Sequence, residues 1–144
     1  MAPPGHSPPS LEGLRRHTTV LVIASQAALR RLICRHLSAE AFRCFEADSA
    51  MEALEVLWMV APGRIDLIIA DADIPDLDAA ALARASRERW PEQSVLFLFG
   101  GAPPITVEEL ARLQGQVLEK PFTRSKLLGA VSAALERRSS RREK

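Results

Sequence analysis

Two side chains that could do chemistry stand at the ends of apolar runs in this sequence. Asp71 ends the run IDLIIAD, and Lys120 with Pro121 follows the shorter run QVLE. If both runs are strands of one parallel sheet, their carboxyl ends lie along a common rim, which is where such sheets bind ligands. A carboxylate and an amine at this rim predict a phosphate-handling site, with Lys120 directed at Asp71 as an ion pair at a partly open edge.

The first apolar run, VLVI, ends in Ala24 and Ser25, where a phosphate site that uses a metal would need acids. Mg²⁺ is usually held by one or two carboxylates together with phosphate oxygens and waters. Ala24 offers no ligand atom and Ser25 offers only a neutral hydroxyl, so Asp71 is the sole charged ligand of the expected set. Asp73 and Asp76 in the following loop are the alternative carboxylates. We therefore predict neither a metal site nor a bound cofactor.

Short apolar runs alternate with longer amphipathic ones along the chain, and this alternation is typical of an α/β fold with a parallel sheet. The pattern predicts a doubly wound sheet of five strands and five helices in one domain, with no internal repeat. The predicted strands are Thr19–Ala24, Phe42–Glu46, Ile65–Asp71, Ser94–Phe99 and Gln116–Glu119. The predicted helices are Ala27–Leu37, Ser49–Met59, Ala79–Arg89, Val107–Leu113 and Thr123–Glu136.

Helical spacing predicts which residues of three of these helices face the core. Their apolar residues recur at a period near 3.6, as expected of amphipathic helices. Ser49, with Glu52 three residues later, also predicts a capping box at the start of the second helix. The predicted core-facing residues are Leu29, Leu32, Ile33 and Leu37 in the first helix, Leu54, Val56 and Leu57 in the second, and Leu127, Leu128, Val131 and Ala134 in the last.

The overall composition is that of an ordinary globular protein. The 144 residues carry a net charge of +1, and 47% of them are hydrophobic. No uninterrupted apolar segment reaches the roughly 18 residues of a membrane helix, and the N-terminal residues do not resemble an export signal, so we expect a cytoplasmic protein. Cys34 and Cys44 are too few for a disulfide framework or a metal site, and we expect two reduced, packed thiols.

The two ends of the chain differ in composition from its middle. We expect residues 1–16 to form a flexible Pro-rich leader, residues 17–138 to form the folded domain, and residues 139–144 to form a solvated basic tail. No aromatic residues stand between the basic residues of the tail to stack on bases, so we do not expect nucleic-acid binding. The output of such a domain requires a protein partner.

Over residues 18–138 the sequence resembles the receiver domain of bacterial two-component response regulators. The resemblance implies a flavodoxin-like fold with strand order 2-1-3-4-5. It also implies that Asp71 is the phosphoacceptor position, which takes a phosphoryl group from a phosphohistidine with the help of Mg²⁺. It further implies a cis peptide bond between Lys120 and Pro121. The matching features are Asp71 with Pro75 four residues later, Lys120 with Pro121 and Phe122, and the five-fold alternation of elements.

Four positions depart from the pattern of that family. Ala24 and Ser25 stand where receivers keep the acids that bind the metal. Phe99 stands at the end of the fourth strand, where receivers present a Ser or Thr whose hydroxyl bonds the phosphoryl group. Val117 stands where many receivers carry a Tyr or Phe whose ring turns on activation. These departures imply that magnesium-dependent phosphorylation of Asp71 is weakened or lost.

The sequence therefore predicts an atypical receiver domain, not an enzyme, that signals through protein–protein contacts. We expect a histidine kinase or an effector as partner, or a homodimer through 107–113, 116–119 and 123–136. The alternative is a working phosphoreceiver that uses Asp71, with Ser25, Asp73 or Asp76 replacing the lost acids. The Asp71-x-Asp73 pair also resembles the nucleophile motif of haloacid-dehalogenase-type phosphatases. That motif normally ends the first strand of a larger protein, so we do not favour a hydrolase.

Overall fold

The computed structural model describes residues 18–59, 65–71, 93–101 and 116–143. Five strands form one parallel sheet in the order β2-β1-β3-β4-β5, as predicted, and three helices pack on it within the described residues. The strands are β1 Thr19–Ile23, β2 Arg43–Ala47, β3 Leu67–Asp71, β4 Ser94–Phe99 and β5 Gln116–Glu119. The helices are α1 Ala27–Ala39, α2 Ala50–Met59 and α3 Arg124–Glu143.

The register of the sheet aligns the strand ends at one carboxyl edge. Ile23 of β1 pairs with Ala70 of β3. The residues that follow them, Ala24 and Asp71, are therefore neighbours at the edge. The last residues of β4 and β5 also pair with each other, so Lys120 begins at the same edge. Positions far apart in the sequence are thus brought to one rim by strand pairing alone.

The three central strands carry the core. All residues of β1, β3 and β4 are buried, as expected for strands covered on both faces. The edge strands β2 and β5 are only partly covered. On one face of the sheet, α1 and α3 contribute to a common apolar cluster. Its helical members are Ile33, Cys34 and Leu37 of α1 and Leu127, Val131, Ala134 and Leu135 of α3.

Two residues predicted to face the core are exposed instead. Leu32 of α1 and Leu54 of α2 are both exposed at their surfaces. In α2 the fully buried position near Leu54 is taken by Ala53. Both helices pack mainly on the edge strand β2 and to a smaller extent on β1. The residues at the margin of each predicted apolar face are therefore left outside.

The capping box at the start of α2 is present in a modified form. The Ser49 hydroxyl accepts a hydrogen bond from the backbone N–H of Glu52 at 3.1 Å, as predicted. The Glu52 carboxylate accepts in return from the N–H of Asp48, one residue before the cap, at 2.7 Å. Two backbone donors at the helix start are satisfied by this exchange.

The last helix is longer than predicted. Thr123 caps it, because its hydroxyl accepts the N–H of Lys126 at 3.1 Å. The helix then continues past Glu136 to Glu143, through residues that the sequence analysis assigned to a tail. Residues 130–143 contain neither Gly nor Pro and are rich in Ala, Leu, Arg and Glu, which all favour helix.

Several predictions concern residues outside the described ranges. These are the leader at 1–16, the helices Ala79–Arg89 and Val107–Leu113, and the loop acids Asp73 and Asp76. In the part of the chain that the structure describes, no helix combines the length and the apolar character needed to cross a bilayer.

Candidate functional site

The predicted carboxylate and amine lie together at the carboxyl edge of the sheet. Lys120 Nζ donates a hydrogen bond to Oδ1 of Asp71 at 2.9 Å. The Asp71 side chain is only 5% exposed, whereas that of Lys120 is 22% exposed. The carboxylate is thus more deeply buried than the partly open edge predicted from the sequence. Burial strengthens the attraction between the two charges but also removes their contacts with water.

The end of β4 positions the backbone of Lys120. The N–H of Lys120 donates to the carbonyl oxygen of Phe99 at 2.7 Å, and the peptide bond between Lys120 and Pro121 is cis. The Phe99 side chain is 8% exposed. It presents an apolar ring and no hydroxyl at this end of the strand.

The end of β1 carries no acid. Ala24 is completely buried and donates its N–H to the carbonyl of Ala47 at 3.0 Å, whereas Ser25 is exposed. The Ala24 carbonyl accepts a hydrogen bond from Nη1 of Arg30 at 2.8 Å. The Nε of the same guanidinium donates to Oε1 of Glu46 at 2.9 Å. A fixed positive charge therefore lies against the end of β1.

Sequence reasoning did not single out Arg30. Nothing in the local pattern shows that its side chain reaches back to Ala24. The first turn of α1 carries Arg30 toward the end of β1, and β2 supplies Glu46 as its partner. This contact depends on the packing of three elements, which periodicity does not encode.

Comparison with known proteins identifies the family. The family model described as response regulator receiver domain matches residues 20–132. This chain belongs to that family. It is 30% identical over 120 residues to the sensor kinase CckA of Brucella abortus, a match that covers 83% of this chain and 13% of CckA. It is also 30% identical over 126 residues to the KDP operon transcriptional regulatory protein KdpE of Escherichia coli, covering 85% and 53% of the two chains.

Solved structures agree with this assignment. A response regulator receiver protein from Sinorhizobium medicae superposes with a TM-score of 0.71 at 29% identity, covering 84% of this chain and 96% of that one. NtrX from Brucella abortus superposes with a TM-score of 0.75 at 27% identity, covering 87% of this chain and 28% of NtrX. The chain thus spans about half or less of the length of the curated relatives named above.

The described residues at this edge of the receiver domain do not by themselves fit a magnesium site. Asp71 supplies one carboxylate, and it is already hydrogen-bonded to Lys120. Its neighbour at the end of β1 is the methyl group of Ala24. Among residues 18–59, 65–71, 93–101 and 116–143, no group of three or more acidic, His or Cys side chains could hold a metal ion. Mg²⁺ prefers several oxygen ligands in near-octahedral geometry, and the described donors do not supply them.

The surface of the receiver domain has one apolar area that sequence reasoning missed. Three large side chains of α2 are strongly exposed: Met51 at 71%, Trp58 at 64% and Met59 at 84%. Val117 of β5 is 36% exposed. The described residues therefore show a second apolar surface on α2, separate from the predicted contact surface that includes β5.

Proposed function

We propose that this receiver domain signals through protein–protein contacts and that magnesium-dependent phosphorylation of Asp71 is weakened or lost. The observation that supports this proposal is the end of β1. Ala24 is buried there, and its methyl side chain has no atom that could bind a metal. Its backbone carbonyl accepts a hydrogen bond from the guanidinium of Arg30. Two-component receivers interact with histidine kinases and effector domains, and we expect a partner of this kind.

The electrostatics of phosphoryl transfer support the proposal. The transferred group carries negative charge, and its approach to an anionic carboxylate requires positive charge at the attacking and leaving oxygens. Lys120 supplies one cation beside Asp71. The second cation would be Mg²⁺, and the acids that would hold it are absent from positions 24 and 25. Asp71 is therefore expected to act as a buried structural carboxylate.

The alternative is a phosphoreceiver that accepts a phosphoryl group from a histidine kinase on Asp71. It requires Ser25, Asp73 or Asp76 to replace the missing acids. A decisive experiment incubates the full chain with acetyl phosphate and Mg²⁺ and measures its intact mass, with Asp71→Ala as the matched control. We expect no phosphoryl adduct on either protein. An adduct on the wild type that is absent from Asp71→Ala would establish the alternative.

A receiver that retains both acids at the end of its first strand serves as the positive control in the same reaction. Its adduct shows that the phosphodonor and the metal are competent. The wild-type mass should stay unchanged under conditions in which the control protein is mostly phosphorylated.

We further propose that β5, together with α3 and residues 107–113, forms the contact surface for a second copy or an effector. Val117 places an exposed apolar side chain on this surface. Sedimentation of the wild type and of Val117→Asp tests the homodimer, because a charge at a dimer interface should shift the protein toward monomer. Trp58→Asp, on the separate apolar surface of α2, is the control. A shift toward monomer in Trp58→Asp but not in Val117→Asp would place the contact surface on α2 instead.

A further inference from the structure

The two cysteines of the protein lie together, although one is in α1 and the other is in β2. Cys34 and Cys44 lie at the same helix–strand interface, and both are free cysteines. Cys34 is a member of the apolar cluster between α1 and the sheet, and Cys44 packs against that cluster. Cys34 is buried and Cys44 is half-buried.

The packing of α1 on β2 determines this contact. Arg30 and Cys34 are four residues apart and lie on one face of the helix, while Glu46 and Cys44 are two residues apart and lie on one face of the strand. The ion pair between Arg30 and Glu46 spans 2.9 Å between the same two faces. The ion pair and the thiol pair are therefore successive contacts along one helix–strand interface.

The two thiols differ in chemical character. Hydrogen bonding from the Cys34 thiol, with a further contribution from the Ser38 hydroxyl, holds the pKa of Cys44 below its ordinary value despite partial burial. The same hydrogen bond and burial raise the pKa of Cys34. The thiolate is the reactive form of cysteine. Cys44 is thus the more accessible and more nucleophilic sulfur, and Cys34 is a buried thiol beside it.

We propose that Cys34 and Cys44 form a redox-active dithiol that a hydroperoxide oxidises to an intramolecular disulfide. The Cys44 thiolate attacks one peroxide oxygen, the O–O bond breaks, and the departing hydroxide takes up a proton to leave as water, which gives a sulfenic acid. The Cys34 thiol then attacks that sulfur and displaces its hydroxyl group as a second water. The two thiols lose two electrons in total, and hydrogen peroxide gains them.

The location of the pair connects this reaction to the carboxyl edge of the sheet. An S–S bond of about 2.05 Å requires the two sulfurs to move closer than ordinary packing contact allows. This movement would draw α1 and β2 together one helical turn from Arg30, whose guanidinium holds the Ala24 carbonyl. The turn between the two elements contains Ala41 with a φ of 69°, a conformation that L-residues rarely adopt. The inference does not depend on whether Asp71 accepts phosphate.

The test uses the full chain, with hydrogen peroxide as the probe. After treatment, the protein is unfolded and alkylated with N-ethylmaleimide, and its intact mass is measured without reductant. We expect the oxidised wild type to lose two hydrogen atoms and both alkylation sites, and dithiothreitol to restore both sites. Persistence of two alkylatable thiols, a disulfide between two chains, or oxidation of one cysteine to sulfinic acid would overturn the proposal.

Single variants assign the two roles. In Cys34→Ala the disulfide should be lost and dimedone should trap a sulfenic acid on Cys44, whereas Cys44→Ser should give neither product. Dimedone labelling of Cys34 in the Cys44→Ser variant would contradict the assignment. If a variant does not fold, the rate of disulfide formation in the wild type is compared between buffer and urea, and this comparison still tests the proposal. Disulfide formation that is no faster in the folded protein than in the unfolded chain would refute the proposal.

Discussion

Lys120 Nζ lies 2.9 Å from Oδ1 of Asp71, and the end of β4 lies between the two strands that carry these residues. This ion pair places a buried carboxylate and a cation at the carboxyl edge of the sheet. At the end of β1, positions 24 and 25 hold Ala and Ser, which carry no charge.

Removing the amine should destabilise the fold. Lys120→Met should lower the free energy of unfolding by about 1–3 kcal/mol, because it takes away a charged hydrogen-bond donor from a carboxylate that is 5% exposed. Urea denaturation measures the change. Asp71→Asn completes a double-mutant cycle, in which Lys120→Met should cost less than in the wild type. Strictly additive effects of the two substitutions would mean that the pair contributes nothing.

Restoring one acid should restore part of the metal affinity. Ser25→Asp places a carboxylate at an exposed position at the end of β1. Position 25 directly follows Ala24, which lies beside Asp71 at the edge of the sheet. We expect Mg²⁺ to bind this variant at least about tenfold more tightly than the wild type, equivalent to about 1.4 kcal/mol. Isothermal titration with MgCl₂ measures the affinity. Ser25→Asn, of similar size but uncharged, is the control, and equal affinities of both variants would rule out the electrostatic explanation.

Phe99 should act as a packing residue. Its ring is 8% exposed, so Phe99→Ala should lower the free energy of unfolding by about 3 kcal/mol. Phe99→Leu should cost less, since it retains most of the apolar volume. Leu32→Ala in α1 provides an exposed control and should change stability by no more than about 0.5 kcal/mol. A Phe99→Ala protein as stable as this control would show that the ring does not fill the core.

The guanidinium of Arg30 should not be replaceable by an amine. Arg30 uses two nitrogen atoms to contact Ala24 and Glu46 at the same time. A lysine side chain is a point charge and lacks this planar fork, so Arg30→Lys should lower the free energy of unfolding by about 1 kcal/mol. Arg31→Lys, at an exposed position in the same helix, is the matched control. Equal stabilities in thermal or urea unfolding would mean that the double contact is not required.

The pKa of Cys44 should be visible in its alkylation. Because the pKa is lowered in the folded protein, more thiolate is present at neutral pH, and iodoacetamide should modify Cys44 faster at pH 7 than it modifies the unfolded chain. The midpoint of the rate against pH should lie below the ordinary cysteine value of about 8.5. Peptide mass mapping gives the rate for each cysteine. In Cys34→Ala the midpoint should move upward, since the donating thiol is gone, and an unchanged midpoint would assign the shift to another group.

The strands could be predicted because each rests on a strong local signal, whereas their order was implied by the resemblance to receiver domains. A fully buried parallel strand is a short apolar run, and β4 and β5 occur at the residues predicted from such runs. The helix faces were less predictable. Leu32 and Leu54 fit the apolar period of their helices but are exposed. Periodicity gives the direction of a face, whereas its width depends on how much of the sheet lies beneath the helix.

The sequence by itself determined the apolar runs that become strands, the resemblance to a family, and the residue types at the carboxyl edge, including Ala24 and Ser25 after the first strand. These features follow from residue identity and from spacing along the chain, and the strand order was implied by the resemblance. Only the tertiary structure decided that Asp71 is buried, that Arg30 holds the Ala24 carbonyl and that Cys34 and Cys44 pack at one interface. Each of these depends on the distance between side chains of different elements. That distance is set by how helices and strands pack, and local patterns in the sequence do not contain it.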